Sequence, residues 1–368
     1  MSNKAPHEPL FHIIKREELT KKQEVGIRAA AIVIGLIVCA IITTILTGDN
    51  PITVYKTIIA GAFGTTRRTW ITLQNISILL IISLALTPAF KMKFWNIGGE
   101  GQVLMGGLAA AACMITLAGK MPSSAIILLM IIASIVAGAV WALIPALFKA
   151  KWNTNETLAT LMMNYIATQL VAFFTIVWEV PKGSGKIGII NQDGHEGWLP
   201  EVGNKYLLPI IVAIIITVAI YIYQKYTKHG YEISVVGESE NTARYIGIKV
   251  EKVIIRTMLL SGAICGIAGL LLSGGINHTI TTTIVDGQGF TAVMVSWLAK
   301  FNPFTMIATS ALIVLMDRGA SEISTAFGLN ESFADILTGV LLFFIIGCEF
   351  FIRYKLAFRS KKGKEEES

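Results

Sequence analysis

The sequence predicts an all-α, polytopic integral membrane protein that crosses the bilayer about ten times and keeps both termini in the cytoplasm. Of its 368 residues, 54% are hydrophobic and 15% are charged, whereas a soluble globular domain has roughly 25% charged residues. The mean hydropathy is +0.64, and apolar segments recur along the chain with short polar breaks. Too few polar residues are present to cover a surface in water, so lipid is the expected solvent.

Ten apolar segments are candidates for transmembrane helices, because a helix needs about 20 apolar residues to cross the hydrocarbon core. The eighth and ninth are shorter than this, and both thin spans and a re-entrant pair are open interpretations. The ten segments are residues 25–47, 71–90, 97–118, 124–148, 156–178, 206–223, 253–273, 290–299, 304–316 and 333–352.

The basic residues set the expected orientation. We divide the chain into a cytoplasmic N-terminal tail (residues 1–24), a transmembrane domain (25–354) and a charged cytoplasmic tail (355–368). Ten crossings that start in the cytoplasm also place residues 91–96, 149–155, 225–252 and 300–303 inside. Counting Arg28, Arg256 and Arg353 with the inner segments, 23 of the 31 lysines and arginines lie on the inner side and eight on the outer side. Basic residues favour the cytoplasmic side of a membrane protein, and the opposite orientation would place the basic C-terminal tail outside.

The motifs of several enzyme classes are missing from the sequence. No GxxxxGK[ST] phosphate loop, HExxH zinc motif or GxSxG nucleophile elbow occurs. The four cysteines lie far apart in apolar segments, which is typical of packing residues and not of a metal site. We therefore expect no catalytic residue, no metal site and no cofactor, and no binding of ATP through such a loop.

The densest polar cluster within an apolar segment runs from Asn96 to Gln102, where three glycines surround Glu100. Exposing a carboxylate to lipid costs roughly 3 kcal/mol, so such groups usually face a cavity or a partner. One interpretation is an irregular, backbone-rich wall of a translocation pathway. The other is a helix N-terminus, whose dipole favours an acidic first turn.

A second polar cluster, at residues 153–157, opens the fifth span. Its local chemistry fits a helix N-cap followed by an acidic first turn at Glu156. Asn164 follows deeper in the same span, where an amide needs a partner or water. Together, the candidate pathway residues are Asn96, Glu100, Gln102, Glu156 and Asn164.

Two longer polar segments are candidate surfaces for partners. On the inner side, residues 225–252 contain a predicted short helix that Ser239 or Asn241 caps and Gly247 ends. This helix either transmits the motion of a partner or rests on lipid headgroups. On the outer side, residues 179–205 are rich in glycine and polar residues, and both a flexible loop and a partner-binding surface are open interpretations.

These clusters, in this order, resemble the permease family of ATP-binding-cassette importers for ribose, nucleosides and branched-chain amino acids. Residues 96–102 are similar to the family block N-I-G-x-E-G-Q, and residues 155–164 to N-E-x-x-x-T-L-M-x-N. Residues 237–248 resemble the coupling-loop pattern that ends A-R-Y-x-G-I. The resemblance covers most of the chain.

A further block, residues 287–303, is similar to the G-x-G-F-x-x-I-x-V-A-x-L-G-x-x-N-P segment of the nucleoside branch. The chain departs from it at Ser296 and Trp297, where small residues are expected. It departs again at Lys300 and Phe301, where Gly-Arg or a similar pair is expected. These departures concern the substrate and leave the family resemblance intact.

The resemblance implies the permease subunit of an ATP-driven importer in a bacterial plasma membrane, with purine nucleosides as the first expected substrate. It implies three partners: a cytoplasmic ATP-binding-cassette ATPase, a second permease subunit in a homo- or heterodimer, and an extracytoplasmic substrate-binding lipoprotein. No nucleic-acid partner is expected. The implied ATPase-coupling residues are Gly237, Glu238, Ala243, Arg244, Tyr245 and Gly247.

Other functions stay open at this point. Ribose-like sugars and branched-chain amino acids are alternative substrates. A proton- or sodium-driven secondary transporter is the main alternative class, because Glu100 and Glu156 are available to carry protons. The long coupling-like segment argues against that class, and the missing catalytic motifs argue against an intramembrane enzyme.

Overall fold

The structure is a computed structural model that describes residues 11–16, 20–48, 50–330 and 332–358. The predicted tail residues 1–10, 17–19 and 359–368 lie outside the described residues. The helices are α1 (Lys21–Thr47), α2 (Pro51–Phe63), α3 (Thr66–Lys91), α4 (Gly99–Leu117), α5 (Ser123–Trp152), α6 (Glu156–Trp178), α7 (Leu207–Tyr226), α8 (Lys228–Glu238), α9 (Glu240–Tyr245), α10 (Val250–Leu270), α11 (Gln288–Leu298), α12 (Pro303–Ala326) and α13 (Ser332–Arg353). Two short strands, β1 (Phe11–Lys15) and β2 (Tyr354–Phe358), form the one sheet in the described part of the chain.

Eight helical runs within the described residues are long and apolar enough to cross a membrane. They are α1, α3, α4, α5, α6, α7, α13 and the run Val250–Ile276, in which a π-helical turn (Leu271–Ile276) continues α10. This confirms the prediction of an all-α, multi-pass membrane protein.

The eighth and ninth apolar segments, which the sequence predicts to be short, correspond to helices of very different length in the structure. Helix α11 has 11 residues and reaches about 16 Å, well below the roughly 30 Å of the hydrocarbon core. Helix α12 has 24 residues, so it extends well beyond the predicted segment 304–316. The apolar pattern stops early because Asp317, Arg318 and Glu322 occupy the second half of this helix.

The described chain divides into two compact units. The larger unit, Thr65–Val314, is built around α3, in which every residue from Ser77 to Phe90 is buried. A helix that is apolar on all sides belongs inside a bundle. Helices α4, α7, α10 and α11 pack around it.

Glycines set how closely the helices of this unit approach each other. Helices α5 and α10 cross where Gly138 lies against the Gly262 carbonyl and Gly266 lies against the Ser134 carbonyl. A β-carbon at either glycine would collide with backbone atoms of the other helix. Since lipid offers no hydrophobic drive for helices to associate, close backbone packing through small residues provides much of their cohesion.

The second unit contains the chain up to Gly64 and from Leu315 onward. Helices α1 and α13 run antiparallel in it, joined by an ion pair between Arg28 and Glu349 with a nitrogen–oxygen distance of 2.6 Å. Strands β1 and β2 pair in an antiparallel register, so the segments just before α1 and just after α13 lie side by side.

We expect Gly266→Ala to reduce the stability of the protein by about 1–3 kcal/mol, the typical cost of overpacking a well-packed site. The reason is that the new methyl group meets the Ser134 carbonyl of α5. The matched control is Gly339→Ala in α13, where nothing lies within 4 Å of the added β-carbon. Thermal unfolding of the purified protein in detergent measures both changes. A midpoint for Gly266→Ala equal to that of Gly339→Ala would contradict the packing analysis.

Candidate functional site

The loop between α3 and α4 is held by side chains from several helices. Its Asn96 carboxamide accepts hydrogen bonds through Oδ1 from the Gly98 amide (3.0 Å) and from Nε2 of Gln102 (3.1 Å). Its Nδ2 donates to the Ser261 hydroxyl of α10 (3.1 Å). The side chains of Asn96, Gln102 and Ser261 are all buried.

Helix α6 holds the same loop from another side. The Asn164 side chain donates to the Ile97 carbonyl and accepts from the Gly101 amide, both at 2.9 Å. The Thr160 hydroxyl accepts from the Ile97 amide at 3.2 Å. We call the residues of this assembly the polar node: Asn96, Glu100, Gln102, Thr160, Asn164 and Ser261.

The polar node lies deep along the helices that build it. Asn164 is eight residues into α6 and Ser261 is 11 residues beyond Val250, the first residue of α10. At 1.5 Å per residue these positions are about 12 and 16 Å from the helix starts. The node is therefore well separated along α6 from Glu156, which pairs with Lys149 at 3.0 Å in a partly exposed position.

Glu100 joins the node to α11. Its two carboxylate oxygens accept hydrogen bonds from the backbone amides of Gly287 (3.1 Å) and Gly289 (2.8 Å). These amides belong to the start of α11, where unpaired donors and the helix dipole favour an anion. Gly287 has a φ of 69°, and a β-carbon at Gly289 would meet the backbone of Glu100. Glu100 therefore caps a helix other than its own.

An irregular stretch, residues 277–287, connects the π-helical turn to α11, and we call it the connecting segment. At its start, the His278 carbonyl accepts from the Ile190 amide at 2.8 Å. The Ile280 side chain then lies against Gly107 of α4, and the segment ends at Glu100. Because Gly107 and Glu100 are seven residues apart on α4, this stretch follows that helix for about 10 Å.

Four aromatic rings lie where α11 ends. Trp297 stacks on Trp95 with ring centroids 5.2 Å apart and an interplanar angle of 23°, and it meets Phe301 edge-on at 5.2 Å. Phe90 contacts the other three rings at 6.0–6.4 Å. The neighbouring Ser296 hydroxyl is buried and donates to the Ser83 carbonyl at 3.0 Å. The unusual Trp297 and Phe301 thus fit together as one packed cluster.

Helices α8 and α9 cover one end of the larger unit. Ile233 and Val236 of α8 are buried in a cluster that includes Met92 and Phe94, next to the polar node. Gly237 lies against the Lys91 carbonyl at the end of α3. The six-residue helix α9 follows, capped by the Ser239 hydroxyl, which accepts from the Thr242 amide at 3.2 Å.

Helix α9 projects from this end of the unit. Its Ala243 is fully buried, whereas Tyr245 is 92% exposed and Ile246 is 51% exposed. Arg244 pairs with Glu251 of α10 at 3.0 Å, and both side chains are about half exposed. A polar cavity beside this ion pair is lined by Lys149, Lys151, Asn153, Glu240, Arg244 and Glu251, among others.

The loop between α6 and α7 is tightly bonded, in contrast to the simpler expectation of a flexible loop. The Glu179 carboxylate accepts from the amides of Gly183 and Gly185, both at 2.8 Å, and these bonds lower its pKa. Further along, Asn191 donates to the Met114 carbonyl of α4 at 2.9 Å. Glu196 accepts from the Gly119 amide at 2.7 Å.

Trp198 of this loop is contacted by two histidine rings, one from the loop itself and one from the connecting segment. The His278 ring lies parallel to Trp198, with centroids 3.7 Å apart and an interplanar angle of 7°. The His195 ring lies 4.1 Å from Trp198 at 32°. The Trp198 indole donates to the Ile190 carbonyl at 2.8 Å. This histidine–tryptophan stack fastens the loop to the first residues of the connecting segment.

Comparisons with known proteins agree with this arrangement. The model of the family described as branched-chain amino acid transport system, permease component, matches residues 68–346, which is more than half of the chain. The chain belongs to this permease family. It is thus a multi-pass protein of the cell membrane and the permease component of a transport system.

Several characterised relatives are similar over most of this permease. The guanosine ABC transporter permease protein NupP of Bacillus subtilis is 28% identical, over 90% of this chain and 96% of its own. The nucleoside ABC transporter permease protein NupB of Lactococcus lactis subsp. cremoris is 27% identical, over 88% and 91%. The glucose ABC transporter permease protein TsgB13 of Haloferax volcanii is 28% identical, over 76% of each chain.

The permease brings four of the five sequence-predicted pathway residues together. Asn96, Glu100, Gln102 and Asn164 all lie in the polar node and are at least nine-tenths buried. Glu156 lies apart from them, at the start of α6, in its ion pair with Lys149. The N-cap predicted in the cluster 153–157 is Asn155, whose side chain accepts from the Leu158 amide at 3.1 Å.

The coupling residues predicted from the sequence divide into two groups in the permease. Gly237 and Ala243 are buried and fix α8 and α9 on the bundle. Glu238, Arg244, Tyr245 and Gly247 are exposed. Sequence reasoning missed the connecting segment and the histidine–tryptophan stack, because both depend on residues that are far apart in the chain.

We expect the stack to make the stability of the permease depend on pH. Burial lowers the pKa of His278 from the value of about 6.5 expected for an unfolded chain. Above that pH both states are neutral at this position. As the pH falls below about 6.5, the unfolded chain gains a proton that the folded state resists, so the free energy of unfolding decreases.

We expect His278→Phe, which keeps an aromatic ring beside Trp198, to reduce the loss of thermal stability between about pH 7 and 5.5. The other titratable groups close to His278 are His195 and Glu201, and both stay in place. His229→Phe is the control, because His229 is an exposed histidine at the start of α8. Equal pH slopes for the two variants, measured by thermal unfolding in detergent, would show that His278 does not cause the effect.

Proposed function

We propose that this permease is the membrane subunit of an ATP-driven importer for nucleosides, purine nucleosides first. In this assembly it pairs with a second permease, binds ATP-binding-cassette ATPases in the cytoplasm and receives substrate from an extracytoplasmic binding lipoprotein. The observation that carries the proposal is the small projecting helix α9, which offers Tyr245 at 92% exposure. A projecting apolar element of this kind suits docking into a groove of a partner.

The proposed topology has ten crossings with both tails in the cytoplasm. Eight are made by the long apolar helices, one by α12, and one by the connecting segment together with α11. An even number of crossings agrees with the pairing of β1 and β2, which join the chain before α1 to the chain after α13. The excess of basic residues on the proposed inner side supports the orientation.

Two observations support nucleosides over the other substrates. The guanosine and nucleoside permeases match 90% and 88% of this chain, whereas the glucose permease matches 76%. The block at residues 287–303 also resembles the nucleoside type, apart from its departures at Ser296–Trp297 and Lys300–Phe301. A simple sugar is the second candidate substrate because of the glucose relative. In either case, specificity is the difference between the free energies of binding the nucleoside and the sugar.

The polar node supports the translocation pathway as a scaffold. Most of the hydrogen bonds of its side chains are made to one another and to the backbone, although the buried Oε1 of Gln102 has no partner among the described residues. We therefore propose that these side chains shape the wall and hold α11 in place. Both carboxylate oxygens of Glu100 already accept hydrogen bonds from backbone amides at the start of α11. This argues against a secondary transporter in which Glu100 carries protons.

We expect Glu100→Ala to lower ATP-driven uptake about tenfold or more, since each hydrogen bond to a charged group contributes about 1.5–3 kcal/mol. Glu100→Gln should fall between this variant and the wild type, because its side chain retains one acceptor oxygen for two amides. Membrane abundance should change less than uptake. The control is Glu201→Ala, an exposed glutamate in the α6–α7 loop. Normal uptake by Glu100→Ala at normal abundance would contradict the scaffold role.

We expect Tyr245→Ala and Arg244→Glu to weaken co-purification of the ATPase and to reduce substrate-stimulated ATP hydrolysis in proteoliposomes. Reversing a charge within an interface costs several kcal/mol, whereas a basic residue resting on anionic lipid gains about 1 kcal/mol. The permease should still fold, because the exposed pair between Arg244 and Glu251 contributes at most about 1 kcal/mol.

Two controls isolate the docking surface. Tyr231→Ala removes a tyrosine that is 61% exposed on the adjacent helix α8. Glu251→Gln breaks the same ion pair while leaving Arg244 positive. Both should keep the ATPase bound. If Arg244→Glu and Tyr245→Ala assemble and couple like these controls, α9 is not the coupling helix.

A further inference from the structure

We propose that the connecting segment is a polar wall of the translocation pathway and that the Asp286 carboxylate accepts hydrogen bonds from hydroxyl groups of the passing solute. The proposal rests on the transport function argued above and assigns part of its pathway. The segment has two faces. Ile280 and Val285 are fully buried, whereas Thr281, Thr283 and Asp286 are exposed.

The depth of the segment makes this exposure informative. The segment follows α4 from Gly107 to Glu100, and Glu100 belongs to the polar node, about 12–16 Å from the starts of α6 and α10. Non-helical backbone at such depth is tolerated only where it is enclosed by protein or lines a water-filled cavity. Exposed threonines and an aspartate on that backbone favour the cavity, because a carboxylate facing lipid is strongly unfavourable.

Two carboxylates, those of Glu100 and Asp286, lie close together at this point, and only the first has hydrogen-bond partners among the described residues. Both oxygens of Glu100 are occupied by the amides of Gly287 and Gly289. Asp286 is the next residue before Gly287 and is near enough for its charge to act on Glu100. Within residues 11–16, 20–48, 50–330 and 332–358, no hydrogen bond or ion pair engages the Asp286 carboxylate. Its acceptor sites are therefore free for a ligand.

The chemistry of this wall selects a class of solute. An ionised carboxylate accepts hydrogen bonds and donates none, and threonine hydroxyls both donate and accept. Hydroxyl groups of a neutral solute, such as the ribose of a nucleoside or a simple sugar, fit these acceptors. An anionic solute would be repelled by Asp286 and by the adjacent Glu100. The wall is thus suited to neutral, hydroxyl-bearing molecules.

Thiol labelling of the assembled transporter in membrane vesicles tests whether the segment contacts water. The test positions are Thr283→Cys and Asp286→Cys, and the probe is a membrane-impermeant cationic thiol reagent. Val285→Cys is the buried control in the same segment. Ile132→Cys is the lipid-facing control, since Ile132 is 51% exposed on the apolar helix α5. The unsubstituted chain gives the background from its own four cysteines.

We expect both test positions to react faster than both controls, because a thiol reacts as the thiolate and needs water around it. Added guanosine, together with the binding protein, should slow this labelling. Labelling no faster than at Ile132→Cys would overturn the proposal. The proposal would also be overturned if the test cysteines of two permease copies formed a disulfide with each other while neither cysteine reacted with the reagent. That result would make this face a permease–permease interface.

Uptake measurements test the role of the carboxylate. Asp286→Asn keeps the size of the side chain, and we expect it to lower the maximal rate of uptake about tenfold, the loss typical of one charge-assisted hydrogen bond. Permease abundance and ATPase co-purification should stay unchanged. The control is Asp193→Asn, an exposed aspartate in the α6–α7 loop. Normal uptake by Asp286→Asn would overturn the assigned role.

The two proposals fail in different ways. A wild-type assembly that shows no ATP-dependent uptake of nucleosides or sugars would refute the transport proposal, whatever the labelling shows. If the wild-type assembly transports normally but Thr283→Cys and Asp286→Cys do not react with the thiol reagent, only the assignment of the connecting segment is refuted.

Discussion

The larger unit depends on one constraint: backbone donors that lie within the apolar layer must find acceptors in the protein. Helices α4 and α11 both begin beside the polar node, and each start leaves amides without partners in its own helix. Asn164 accepts from Gly101 in the first turn of α4, and Glu100 accepts from two amides at the start of α11. The polar node therefore supplies acceptors for the first amides of two helices, including the helix that follows the connecting segment.

The surroundings of the node are rigid for reasons of packing. Helices α5 and α10 cross in backbone contact at Gly138 and Gly266, so neither can shift without a collision. The aromatic cluster of Trp95 and Trp297 closes the other side of α11. Two exceptions to the family pattern, Trp297 and Phe301, thus compensate for each other's size in one cluster.

Continuous contacts link the node to both ends of the larger unit. At one end, α8 packs on Met92 and Phe94, which lead directly into Asn96. At the other end, the histidine–tryptophan stack holds His278, from which the connecting segment runs to Glu100. A movement of α9 or of the α6–α7 loop would therefore reach the same carboxylate. Under the proposed function, in which an ATPase and a substrate-binding protein act on the permease, this is a suitable position for a shared element.

The sequence by itself determined the membrane class, most helix bounds, the presence of N-caps before α6 and α9, and the three clusters of polar residues and glycines. These features follow from local composition and from spacing along one helix, which are readable without a fold. Only the tertiary structure decided which clusters meet. Nothing local shows that Glu100 would accept from the N-cap residue of a helix, 187 residues later in the chain. Nor does it show that Glu156 would pair with Lys149 away from the node, or that Asp286 would lie next to Glu100. Those outcomes depend on how α4, α6, α10 and α11 pack, and the energy of a buried polar group is set by partners that are distant in the sequence.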